Sequence, residues 1–143
     1  MIRNIIVLGC TALLTIGLSF GAFAGAAPDS DADGVPDAYD NCTTTPNGPT
    51  LSTFPLCSGQ QDEDTNGYGN PCDTDVDNDG ATGLSDVGIV LNALGTLGGN
   101  TDFNCDGGTG LDDVGTILNQ LGNLPGPSGL ACAAPTATNC SAS

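Results

Sequence analysis

Four stretches of this chain place short oxygen-bearing side chains at one repeated spacing. Asp29-Ser30-Asp31-Ala32-Asp33-Gly34 runs on to Asp37 and Asp40, and Asp62-Glu63-Asp64-Thr65-Asn66-Gly67 runs on to Asn70 and Asp73. Asp75-Val76-Asp77-Asn78-Asp79-Gly80 closes at Asp86, and Asp102-Phe103-Asn104-Cys105-Asp106-Gly107 closes at Asp113. Each stretch spans 12 residues, with oxygen donors at positions 1, 3 and 5, Gly at 6 and Asp at 12. The spacing has a direct physical reading. A calcium ion takes about 6–8 oxygens at roughly 2.3–2.6 Å. Alternate residues of a tight loop can turn inward, and Gly at position 6 permits the sharp backbone turn. The carbonyl of position 7 then faces the ion, and the last carboxylate closes the cage. The predicted ligands are Asp29, Asp31, Asp33, Val35, Asp37 and Asp40 in loop 1, and Asp62, Asp64, Asn66, Tyr68, Asn70 and Asp73 in loop 2. Loop 3 offers Asp75, Asp77, Asp79, Ala81 and Asp86; loop 4 offers Asp102, Asn104, Asp106, Gly108 and Asp113. Val35, Tyr68, Ala81 and Gly108 would contribute backbone carbonyls.

Charge makes the ions close to obligatory. The chain has 143 residues, 17 Asp+Glu, one Lys+Arg and no His. Fifteen of the acids sit at predicted ligand positions, leaving Glu63 and Asp112. Two carboxylates ~5 Å apart repel by roughly 3 kcal/mol at an effective dielectric near 20. A divalent cation offsets that repulsion, and the only basic residue of the chain is Arg3. About four Ca²⁺ are therefore expected. High net charge by itself predicts disorder, but random acid placement does not produce loops in phase.

The same arithmetic excludes other functions. A net charge of −16 repels phosphates, so nucleic acid is not an expected partner. No His means no His general base and no His-ligated zinc, and no CxxC pair is present. Nearly all carboxylates are claimed as metal ligands, so neither catalysis nor a small-molecule substrate is expected. Aromatics at 4%, with 22 Gly and 9 Pro, leave little for a packed interior.

Residues 1–24 read as a secretory signal: Arg3, an apolar run from Ile5 to Phe20, and Ala22-Phe23-Ala24 before the cut. Secretion to the extracellular space or cell surface is the expectation. Beyond the cut lie six cysteines, Cys42, Cys57, Cys72, Cys105, Cys132 and Cys140, read as disulfides with the pairing open.

The loops fall into two kinds. Turn-rich sequence follows loop 1, and loop 3 begins directly after loop 2. The run Gly34-Val35-Pro36-Asp37-Ala38-Tyr39-Asp40-Asn41-Cys42, with Gly67-Tyr68-Gly69-Asn70-Pro71-Cys72-Asp73, resembles the thrombospondin type 3 repeat over most of residues 29–73. The resemblance implies that calcium replaces a hydrophobic core and that disulfides link neighbouring repeats, with Cys42 paired to Cys57 or Cys72. Loops 3 and 4 are each followed by a helical pattern. Leu84, Val87, Leu91 and Leu94 share one face, and Leu111, Val114, Leu118 and Leu121 repeat it 27 residues later. Gly95 and Gly122 mark the helix ends. Thr82-Gly83-Leu84 and Asp86-Val87-Gly88 recur as Thr109-Gly110-Leu111 and Asp113-Val114-Gly115. This duplication resembles a type I dockerin over about residues 75–124, which implies an antiparallel pair with two calcium ions and docking onto a cohesin module. The positions that read cohesin in dockerins hold Leu84-Ser85 and Leu111-Asp112 here.

The expected fold is small, loop-rich and stabilised by calcium and disulfides. Residues 25–73 form an irregular thrombospondin type 3-like half, 74–124 an all-α dockerin-like half, and 125–143 a Pro/Ala/Ser-rich tail, disulfide-tied or flexible. The expected function is that of a calcium-binding structural or assembly protein of the bacterial cell surface or extracellular matrix, self-associating or bound to a surface protein. The alternative is an adaptor for a cohesin-like module.

Overall fold

A computed structural model describes residues 26–49 and 59–142. The expected signal segment and Cys57 lie outside them. Each of the four loops turns through the same backbone path. Position 4 is left-handed in all of them: Ala32 at φ 62°, Thr65 at 59°, Asn78 at 59° and Cys105 at 61°. The Gly at position 6 follows at φ 95°, 93°, 116° and 115°. Two left-handed residues within three reverse the chain tightly.

The loops close in two ways. Loops 1 and 2 end through single 3₁₀ turns, η1 (Asp37–Tyr39) and η2 (Asn70–Cys72). Pro36 precedes the first and Pro71 lies within the second, positions where a fixed φ suits a helical first turn and the missing N–H has no partner to lose. Loops 3 and 4 end in true helices, α1 (Leu84–Ala93) and α2 (Leu111–Asn119). Gly83 and Gly110 stand at the helix starts, and their N–H groups donate to Asp86 Oδ2 and Asp113 Oδ2, each at 2.7 Å. The closing acid thus also satisfies an orphan donor and complements the helix dipole. Gly95 and Gly122 are left-handed just past the helix ends, as expected.

The duplicated unit has near two-fold internal symmetry. Its small core is Val90, Phe103 and Ile117, packed by Val76, Val87 and Val114. These are three pairs 27 residues apart: Val76 with Phe103, Val87 with Val114, Val90 with Ile117. Backbone bonds repeat the relation. Thr82 N–H donates to Asn123 O at 2.9 Å and Gly122 N–H to Thr82 O at 2.8 Å. Thr109 N–H donates to Thr96 O at 3.0 Å and Gly95 N–H to Thr109 O at 2.9 Å. Each loop is thereby stitched to the exit of the other loop's helix.

The expected leucine stripe is not the inward face. Leu84 and Leu111 are 80% and 79% exposed, and Leu91, Leu94, Leu118 and Leu121 are exposed too. Only Val87 and Val114 of the two stripes pack inward. The reason is the closing acid. Asp86 and Asp113 are fully buried in their loops, which fixes the rotation of each helix. Residues four further on, Val90 and Ile117, then face the same way and fill the core.

The other half has a polar interior. Asn41, Asn47 and Asn66 have no exposure. Asn41 N–H donates to Gln60 Oε1 at 2.6 Å, Asn47 Nδ2 to Asn41 Oδ1 at 2.7 Å, and Gln60 Nε2 to Asn47 Oδ1 at 2.6 Å. A disulfide joins Cys42 to Cys72, Cα–Cα 5.7 Å, which selects Cys72 over Cys57. Cys105 is also disulfide-bonded, its partner lying outside the described residues. The tail is tied rather than free. Cys132 pairs with Cys140, and the closed loop lies on loop 2 through Ala134 N–H to Asn66 O (3.1 Å) and Cys140 N–H to Thr65 O (2.8 Å). Upstream, Gly129 N–H donates to Asp40 O at 2.8 Å. No helix among the described residues is long and apolar enough to cross a membrane.

Candidate metal centres

The first ligand position behaves identically in all four loops. Its Oδ2 accepts the N–H of the position-6 glycine: Asp29 from Gly34 at 3.1 Å, Asp62 from Gly67 at 2.9 Å, Asp75 from Gly80 at 2.9 Å, Asp102 from Gly107 at 3.1 Å. Position 5 is equally regular. Asp33, Asn66, Asp79 and Asp106 accept from the N–H of Val35, Tyr68, Ala81 and Gly108 at 2.8, 2.8, 3.3 and 3.3 Å. These bonds orient the side chains within each loop.

What remains unsatisfied lies in loops 1 and 2. Among the described residues, the buried side-chain oxygens without a hydrogen-bond partner are Asp29 Oδ1, Asp31 Oδ2, Asp40 Oδ2 and Asp62 Oδ1. All four are carboxylate oxygens at positions 1, 3, 12 and 1 of their loops. Asp40 has no exposure at all, while its other oxygen accepts from Cys42 N–H at 2.9 Å. A buried, unpartnered carboxylate oxygen costs several kcal/mol unless a cation takes it. The donor set is all oxygen, which suits a hard divalent ion.

Convergence differs among the loops. One oxygen each from Asp29, Asp31 and Asp33 lies within 4.8 Å of the others, and the same holds for Asp75, Asp77 and Asp86. Loops 2 and 4 carry an amide at one inner position, Asn66 and Asn104, so fewer carboxylates meet there. Asp86 accepts from Asp77 N–H at 2.9 Å, and Asp113 from Phe103 N–H at 2.8 Å, so each closing acid folds over its loop. Two further predicted ligands also accept bonds from their own loops. Asp37 accepts from Ser30 N–H and Oγ at 2.7 and 2.8 Å, and Asn70 Oδ1 accepts from Glu63 N–H at 3.1 Å. Asp112, unassigned by spacing, accepts from Asn104 Nδ2.

Electrostatics agree with geometry. Burial pushes Asp62 up to about 6 and Asp73 up to about 7, with the neighbouring carboxylate of Asp64 adding to both. Burial first, then Asp33, raises Asp31. Asp40, Asp75 and Asp102 are raised as well, again chiefly by burial. Each loop lacks a positive charge where one would relieve the crowding.

Residues 27–49 and 61–87 match the family model of the thrombospondin type 3 repeat. Over these stretches the chain is similar to the thrombospondin type 3 repeat. The second match runs through loop 3 to Val87, past the sequence boundary drawn at residue 73. The chain is similar to thrombospondin-3 of Mus musculus, 42% identical over 65 residues, covering 37% of this chain and 6% of that protein. It spans only a small fraction of that relative's length. No solved structure matches the chain.

Position 4 and the amide cluster were invisible to ligand spacing. No loop pattern assigns position 4, although Asn78 carries a signal, since Asn tolerates the left-handed region. Asn41, Asn47 and Gln60 are polar residues in turn-rich sequence, where exposure is the ordinary expectation.

Proposed function

We propose that this chain is an extracellular, non-catalytic, calcium-binding structural protein whose four loops each hold one Ca²⁺. The observation that carries the reading is the set of buried, unpartnered carboxylate oxygens in loops 1 and 2, with the convergent acids Asp75, Asp77 and Asp86 in loop 3 and the same backbone turn in loop 4. Residues at positions 1, 3, 5 and 12 would hold each ion, with the position-7 carbonyl. The ion supplies charge neutralisation and cross-linking of chain segments, and no reaction is implied. The calcium-rigidified loops of residues 29–86 would form a stiff unit, with the duplicated helices as its head. Isothermal titration calorimetry of the secreted chain tests this: four bound Ca²⁺ per chain are expected, and none bound at millimolar calcium contradicts it.

A second reading has its own observation. The paired leucines Leu84 and Leu111, Leu91 and Leu118, Leu94 and Leu121, and Leu97 and Leu124 are all exposed. Such a duplicated apolar surface favours a docking role for the helical unit, as its dockerin resemblance implies. Analytical ultracentrifugation with calcium separates the two: large oligomers favour self-assembly, a strict monomer favours docking to another protein.

A further inference from the structure

We propose that Asn78, a residue of loop 3, holds the ligands of loop 2 and so couples ion binding at the two loops; the inference rests on the calcium reading above. Asn78 occupies position 4 of loop 3 in the left-handed conformation, φ 59°. Its side chain bonds across to loop 2. Nδ2 donates to Asp64 Oδ2 at 2.8 Å, and Oδ1 accepts from Asn66 Nδ2 at 2.7 Å. These partners fix the amide's orientation, because the reverse would set an oxygen against a carboxylate and two NH₂ groups against each other. Asn66 Nδ2 donates at the same time to Asp73 Oδ2 at 2.7 Å. One pair of amides therefore ties positions 3, 5 and 12 of loop 2 to the turn of loop 3.

That turn is organised by loop 3's own first ligand. Asp75 accepts from Asp79 N–H at 3.1 Å and Gly80 N–H at 2.9 Å, and Asn78 N–H donates to Asp75 O at 3.2 Å. An ion that fixes Asp75, Asp77 and Asp79 fixes the backbone of Asn78, and Asn78 then orients Asp64 and Asn66. The other position-4 residues do not reach another loop's ligands in this way. Ala32 has no polar side chain, Thr65 donates to Thr138 O at 2.8 Å, and Cys105 is disulfide-bonded. Coupling of this kind is reciprocal: whatever loop 3 does for loop 2, loop 2 does for loop 3. Asn78 is a positioning residue, and neighbours that orient metal ligands commonly change affinity by about 10–100-fold.

The test reads loop 2 through Tyr68, at position 7 of that loop, in a Tyr39→Phe background that leaves Tyr68 as the only tyrosine. Asn78→Gly removes the amide and keeps the left-handed backbone without strain. Tyr68 fluorescence against calcium is recorded for the parent, Asn78→Gly, Asp79→Ala and the double variant, with helix circular dichroism confirming folding. Asn78→Gly should raise the calcium midpoint on the order of tenfold. Asp79→Ala should raise it similarly with Asn78 present and have little further effect in the Asn78→Gly background. An unchanged midpoint in Asn78→Gly, or an equal effect of Asp79→Ala in both backgrounds, overturns the coupling. A silent Tyr68 while calorimetry still shows bound calcium also overturns it and leaves the proposed function standing. No bound calcium at all overturns both.

Discussion

At position 4 of each loop the backbone takes a conformation that costs most residues energy, and the four loops meet that cost differently. Asn78 tolerates it because its short amide can bond locally and, here, across to loop 2. Thr65 and Cys105 are held by outside partners, the tail carbonyl of Thr138 and a disulfide. Ala32, at φ 62° and exposed, has neither. Ala32→Gly should therefore stabilise the calcium-loaded chain by about 1 kcal/mol. Thermal unfolding in excess calcium checks this as a rise of a few degrees, and an unchanged or lower midpoint counts against strain at that site. The 1-3-5-6-12 spacing of oxygen donors and glycine is a property of the sequence. The left-handed residue between them is a property of the turn, and only Asn advertises it.

For the helices, the buried closing acid rather than the apolar pattern decides which side faces in. Asp86 and Asp113 are buried and bonded to their own loop backbone, so Val90 and Ile117 must follow them inward. The leucine repeat was legible as helix, and its ends at Gly95 and Gly122 were placed by sequence. Its orientation was not, because a hydrophobic period says nothing about a carboxylate that is buried against its own loop backbone. Ile117→Ala should cost about 2–5 kcal/mol, the range for large-to-small changes in a packed core. Leu118→Ser, one residue on, should change stability by less than about 0.5 kcal/mol. Denaturant unfolding of both variants in saturating calcium distinguishes this helix rotation from the one the leucines imply. Equal losses would show that the leucine face is also packed.

Across the whole molecule the two halves and the tail form one connected structure. Loop 2 touches loop 3 through Asn66 and Asn78, and the tail returns over loops 1 and 2 to Asp40, Asn66 and Thr65. That return was not legible, because Pro, Ala, Ser and Thr carry no periodic signal and the bonds are made by backbone. The molecule's charge gives a sign for its pH dependence. Asp62 and Asp73 lie at about 6 and about 7 in the fold, against an ordinary value of 3.8, because burial disfavours their charged forms. A raised acid contributes its stability fully below the unfolded value and loses it as pH climbs through the folded one. In calcium-free buffer the chain should accordingly be more ordered near pH 4 than near pH 8. Near-ultraviolet circular dichroism of the tyrosines checks this, and a signal that strengthens from acid to neutral pH would contradict it. Calcium should remove the dependence by pairing with the ionised forms. The central claim is that divalent ions hold together a chain with too little apolar interior to do so. Small-angle X-ray scattering with calcium, then with excess chelator at neutral pH, tests it most directly. With calcium, the radius of gyration should stay near the roughly 14 Å of a compact chain of this length. With chelator it should swell toward the unfolded dimension, held short of it by the disulfides; an unchanged radius would contradict the account.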